Sequence, residues 1–150
     1  MKKILITGGS GFLGKNLSSY LGKKKNIKLL TLKSKKNLDL RDYNAFVKIL
    51  KRFKPEILIH CAANVGGIAY DAKHPIEVFE DNMKIGMNIV KGVALHNVKY
   101  LINIMPNCIY PGELDKYKEE KLWDGDVHNS IKVYGFPRKM MEIACFSYQK

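Results

Sequence analysis

A chain of 150 residues that is 46% apolar and 10% aromatic carries enough core-forming material for one globular domain and excludes a disordered segment. No apolar run approaches the roughly 18 residues a bilayer span requires, so a membrane partner is not expected. The net charge of +12 admits three readings: a nucleic-acid surface, a soluble lysine-rich exterior, or a field that serves an anionic cofactor and substrate.

The chain opens with Lys2-Lys3 ahead of Ile4-Leu5-Ile6. Glycines break this apolar run at once and no small-residue cleavage site follows, so it is not read as a signal peptide. It is read instead as a buried strand over Lys3–Ile6. Gly8, Gly11 and Gly14 follow, and Phe12-Leu13-x-x-x-Leu17-x-x-x-Leu21 opens a helix. A second strand is predicted over Lys28–Leu32, a short one over Leu38–Leu40, and a helix over Tyr43–Phe53. The apolar run Ile57–Cys61 is the next strand. A long helix is expected from Pro75 to His96, with proline at its first position. Tyr100–Met105 is predicted as a further strand. Residues Pro111 to Ser130 are polar and irregular around the lone Trp123, and Met140, Met141, Ile143, Ala144 and Phe146 mark a last helix.

Apolar strands alternating with helices predict crossover units: an α/β, Rossmann-type doubly wound parallel sheet with helices on both faces. The strand at Tyr100–Met105 would then be an open apolar edge. The expected organisation is one dinucleotide-binding domain over residues 1–150, with a C-terminal substrate domain lying outside this chain. Cys61, Cys108 and Cys145 are odd in number and widely spaced. Reduced thiols in the cytoplasm are therefore expected, and neither a disulfide framework nor a metal site.

The glycines carry the chemistry. Gly8 permits the tight strand-to-helix turn, Gly11 lets a pyrophosphate approach the backbone, and Gly14 lets the helix pack close to the strand. The helix start at Phe12, Leu13 and Gly14 offers unpaired amides and a positive dipole end to phosphates. After the second strand a NAD-specific fold places an acid for the ribose 2′-hydroxyl. This chain has Lys33-Ser34-Lys35-Lys36 there, which suits a 2′-phosphate and favours NADP, with NAD the alternative. Ser10 lies within the glycine turn, close to the phosphates. No aromatic-interleaved basic motif or recognition-helix pattern is found, so nucleic acid is the least favoured partner.

With the glycine turn, Asn64-Val65-Gly66-Gly67-Ile68 and Cys108-Ile109-Tyr110-Pro111 in view, the chain resembles the extended short-chain dehydrogenase/reductases (the NAD-dependent epimerase/dehydratase family) that act on nucleotide sugars. Within them it is most similar to the GDP-L-fucose synthase branch, whose members epimerise and reduce a GDP-4-keto-6-deoxyhexose. The resemblance covers essentially the whole chain, while family members run to roughly twice this length. It implies an NADP-dependent oxidoreductase/epimerase, a GDP-linked nucleotide sugar as substrate and a homodimer.

The resemblance also assigns residues. Lys33 and Lys35 stand where the branch carries arginines, and Asp39-Leu40 resembles its adenine contact. Ala62 and Ala63, in His60-Cys61-Ala62-Ala63, match the turn that borders the cofactor. Val65, Gly66 and Gly67 would line the sugar side of the cleft, though glycines here could equally serve only a turn. Tyr134 stands at the catalytic tyrosine, whose phenol exchanges a proton with the sugar oxygen. The family lysine four residues on is Arg138, expected to lower the phenol pKa and bind the nicotinamide ribose. Lys139 is one residue late and would point about 100° away on a helix. The family serine is Pro106, which has no hydroxyl, leaving Asn107 beside it as a substitute donor. Cys108 matches the epimerisation cysteine, useful if its pKa is depressed; the other reading is a small buried side chain. Asn82 and the histidines are read as structural. Pro106 and Arg138 also keep open a non-catalytic dinucleotide binder.

Overall fold

The computed structural model describes residues 1–34, 38–112 and 114–149. In chain order the elements are β1 (Lys2–Thr7), α1 (Phe12–Gly22), β2 (Ile27–Leu32), α2 (Tyr43–Phe53), β3 (Ile57–His60), α3 (Ile68–Lys73), α4 (Pro75–Leu95), β4 (Tyr100–Asn103) and α5 (Lys132–Ser147). The strands form one parallel sheet in the order β2-β1-β3-β4. The chain moves outward from β1 to β2, then crosses back to β3 on the other side of β1. That reversal puts a crevice at the carboxyl ends of β1 and β3.

Alternation along the strands feeds two cores. Leu5 and Leu58 point to the face covered by α2 and α4, where Phe46, Leu50, Ile85 and Ile89 complete a buried cluster. Ile4, Ile6 and Ile59 point to the opposite face, against Leu17 and Leu21 of α1. A third cluster, Val90, Met141 and Ala144, joins α4 to α5. This is a Rossmann-like sheet with helices on both faces, as the alternating pattern predicts. Strand β4 is an edge, and Tyr100 and Ile102 stand exposed on it.

Two expectations need correction. Leu38–Leu40 forms no strand, because Asp39 turns the chain there. Its carboxylate accepts from the Arg41 amide at 3.0 Å and its carbonyl from the Asp42 amide at 3.0 Å, an acid-driven turn that competes with extension. Leu38 and Leu40 reach the core from that turn. Sequence patterning also missed α3, which at six residues is too short to show a helical period. Among the described residues, no helix is long and apolar enough to cross a membrane, and no group of three His, Cys, Asp or Glu is placed to hold a metal.

Candidate active site

The glycine turn is built by close approach. Gly8 has φ +74°, and a Cβ there would lie 2.6 Å from the Ala62 amide nitrogen, so the β1 and β3 exits touch only because this residue lacks a side chain. A Cβ on Gly14 would meet the Gly8 carbonyl oxygen at 2.2 Å. Gly11 differs. Its φ is −71°, and a Cβ there would meet only the Gly8 carbonyl oxygen, at 3.4 Å. It is the N-cap of α1, no side chain caps the helix, and the first turn holds no acid. Bare amides and an uncompensated dipole end thus face open space, which suits the phosphates of a dinucleotide.

That space is a cleft of about 300 Å³ at the switch point. Gly8, Gly11, Lys33, Asp39 and Leu40 line it, with Ala62, Ala63 and Val65 on the β3 side. Lys33 is exposed at the end of β2, and its carbonyl accepts from the Ser10 hydroxyl. Lys35 lies outside the described residues. Phe12 and Leu13 are exposed at the start of α1, beside Gly11. Asp39 reaches the cleft, and its carboxylate already takes Arg41 Nη2 at 2.6 Å.

Arg41 extends this contact into a strap. Its Nη1 donates to Asp81 at 2.8 Å, and Asp81 in turn accepts from Asn64 Nδ2 at 3.0 Å. Asn82 clamps the Asn64 backbone from both sides, accepting from its amide at 3.0 Å and donating to its carbonyl at 2.8 Å. The loop entering Val65-Gly66-Gly67 is therefore tied to α4. Asp81 and Asn82 are buried, and they sit within the apolar stripe Val78, Ile85, Ile89 of that helix. Polar residues in an apolar stripe were the signal that could have found this strap. Gly66 and Gly67 have structural duties as well: a Cβ on Gly66 would strike the Tyr70 ring at 2.3 Å, and Gly67 starts α3 with φ +82°.

A second group lies at the C-terminal ends of β3 and β4. Tyr134 sits half-buried in the first turn of α5. Cys108 lies in the 3-10 turn Asn107–Ile109, and a Cβ on Gly135 would approach its carbonyl oxygen at 2.9 Å. Tyr134, Cys108 and Arg138 feel one another's charge. Asn107 is exposed beside Pro106.

Arg138 is 3% exposed. Its Nη2 donates to the Ile104 carbonyl, and its Nη1 lies 3.4 Å from His60 Nε2 and 3.4 Å from Met141 Sδ. This places positive charge beside the tyrosine, with both Nη groups engaged by the protein and the buried Nε without a hydrogen-bond partner. Lys139 points elsewhere, donating to the Gly125 carbonyl at 3.1 Å with its ammonium 4.5 Å from the Trp123 ring centre.

His60 is fully buried, and burial together with the Arg138 charge pushes its pKa down to about 3. The ring is neutral at ordinary pH. Because arginine can only donate, Nε2 is the acceptor and Nδ1–H donates to Thr7 Oγ1 at 2.7 Å.

Burial dominates the acids of this group. It raises the Tyr134 phenol, and the opposing pull of Arg138 is the smaller effect. A phenol lowered towards neutrality is therefore not what this geometry supplies; the Tyr134 hydroxyl is kept protonated. Burial likewise raises the Cys108 thiol, so the depressed pKa that would favour a thiolate is absent. Cys61 and Cys145 are raised by the same cause, and all three thiols are free. Higher pKa values mean less thiolate at any given pH. In mass-spectrometric alkylation at pH 8, all three cysteines should react several-fold more slowly in the folded chain than in urea. Equal rates at Cys108 would show that its thiol is not suppressed.

A parallel sheet with a glycine turn opening at its switch point defines a dinucleotide-binding domain. Over residues 4–150 the chain matches the model of the NAD dependent epimerase/dehydratase family, and it belongs to that family. GDP-L-colitose synthase of Yersinia pseudotuberculosis is 31% identical over 91% of this chain and 44% of its own length. GDP-L-fucose synthase of Dictyostelium discoideum is 27% identical over 99% of this chain and 47% of its own. The solved structure of MlghC, a GDP-mannoheptose C4 reductase from Campylobacter jejuni with NADP bound, superposes with a TM-score of 0.89 at 30% identity, covering 98% of this chain and 44% of that one. The chain thus spans less than half the length of these relatives.

Proposed function

We propose that this chain is the dinucleotide-binding part of an NADP-dependent nucleotide-sugar reductase or epimerase that acts on a GDP-linked 4-keto-6-deoxyhexose. The observation that carries the reading is the cradle at the switch point: Gly11 and the uncapped start of α1 for a pyrophosphate, with Lys33 for a 2′-phosphate at the end of β2. The relatives named for GDP-sugar synthesis and reduction support the substrate class.

Bound NADPH would supply hydride to the sugar carbonyl. Tyr134, kept protonated by burial, gives its phenolic proton to the carbonyl oxygen as that oxygen gains charge. The buried Arg138 charge stabilises the phenolate left behind. Cys108 stands as a neutral thiol that can deliver its proton to a sugar carbon after a base has removed the proton from that carbon's opposite face during epimerisation. Asn107, exposed beside the same turn, supplies a hydrogen bond to the sugar oxygen where the family uses serine. Val65 and the two glycines after it form the sugar side of the cleft. Exposed Phe79 and Met87 on α4, with Ile143 and Phe146 on α5, support assembly as a homodimer.

A second reading, a dinucleotide binder without turnover, is favoured by Pro106 at the serine position and by the inward turn of Arg138. The complete native polypeptide, given NADPH and GDP-4-keto-6-deoxymannose, distinguishes the two. Loss of NADPH absorbance that requires the sugar supports the enzyme; tight NADPH binding with no turnover supports the second reading.

A further inference from the structure

Asp71 has no place in the site as described, yet it is buried within electrostatic reach of it. The residue is 2% exposed, and its Oδ1 is buried without a hydrogen-bond partner. A carboxylate oxygen left in this state costs stability, and such atoms in folded proteins call for an explanation. The backbone around it is firmly set. Gly67, in a left-handed conformation, starts α3, and its carbonyl accepts from the Asp71 amide at 3.0 Å. The Tyr70 ring packs 4.5 Å from the His74 ring at the end of the helix. The helix lies against α4 and against the turn Asn129–Ile131 that leads into α5. From there the Asp71 charge reaches both Cys108 and Tyr134.

Three elements thus bring a carboxyl, a thiol and a phenol within electrostatic reach of one another, and of these three the carboxyl holds a buried atom without a hydrogen-bond partner. The nearby cation does not satisfy it: the Arg138 Nη groups face Ile104, His60 and Met141, and its buried Nε makes no hydrogen bond either. A group able to satisfy Asp71 must enter from outside, must donate a hydrogen bond, and need carry no charge. A ring hydroxyl meets all three conditions.

We propose that Asp71 is a substrate-binding residue whose free oxygen accepts a hydroxyl of the hexose, fixing which ring carbon faces Tyr134 and Cys108. This rests on the nucleotide-sugar reading above. A site that accepts a substrate hydroxyl discriminates strongly against the analogue that lacks it.

The test uses the complete native polypeptide with NADPH and GDP-4-keto-6-deoxymannose, comparing wild type with Asp71→Leu and Asp71→Asn. Asp71→Leu should raise KM for the sugar tenfold or more, with NADPH affinity unchanged. Its Tm without ligand should equal or exceed that of wild type, because an unsatisfied buried group has been removed. Asp71→Asn retains an acceptor oxygen and should recover part of the lost KM. An unchanged KM in both variants overturns the proposal, as does a fall in Tm accompanied by an equal loss of NADPH affinity, which would mark a purely structural residue. Wild type that neither binds nor reduces the sugar overturns both this proposal and the reading beneath it.

Discussion

Replacing Tyr134 by phenylalanine is expected to lower kcat for the GDP-keto sugar by about 10²-fold or more, with NADPH affinity within about twofold of wild type. The substitution removes one hydroxyl and keeps the half-buried ring that packs in the first turn of α5. Burial holds that phenol protonated, and the buried His60 ring is neutral and engaged with Thr7, so it does not take the phenol's place. Steady-state kinetics with a fluorescence titration of NADPH checks both halves of this expectation. Persistent turnover would move the proton donor to another group. Loss of cofactor binding would mean that the tyrosine acts mainly as a wall.

The glycine turn supplies a second large effect, and a contrast within one motif. Gly8→Ala must place a Cβ 2.6 Å from the Ala62 nitrogen at φ +74°. The strain and backbone displacement together should cost about 3 kcal/mol, lowering Tm by roughly 6–12 °C for a chain of this size. Gly11→Ala meets only the Gly8 carbonyl oxygen at 3.4 Å, and its Tm should shift by no more than about 2 °C. Its methyl would occupy the space in front of the α1 amides, so NADPH affinity should fall about tenfold or more. Thermal melts and NADPH titrations of the two variants separate the glycine that makes the turn from the glycine that admits the ligand. If both lose stability equally, Gly11 is a turn residue alone.

What was legible in the sequence follows from how local each signal is. The strands over residues 2–7 and 57–60 and the turn between Gly8 and Gly14 depend on neighbours in the chain, and they could be read directly. The predicted strand at Leu38–Leu40 fails because a single acid, Asp39, forms a turn with Arg41 and Asp42 that apolar spacing does not reveal. Tyr134 and Cys108 could be named only through resemblance, and their protonation could not be read at all. Whether Arg138 lowers a phenol pKa depends on how far burial opposes it, and burial is set by tertiary packing rather than by neighbours in the chain. Asp71 offered no pattern, since α3 spans only six residues. The Arg41–Asp81–Asn64 strap joins residues far apart in the chain, although Asp81 in an apolar stripe was a usable hint.

Paired fluorescence titrations of the chain with NADPH and with NADH test the cradle at the switch point. Lys33 at the end of β2, with no side-chain cap at the start of α1, predicts NADPH bound at least about tenfold more tightly than NADH, a preference that Lys33→Ala reduces. Equal affinities would contradict the 2′-phosphate assignment, and no binding of either would contradict the cradle itself.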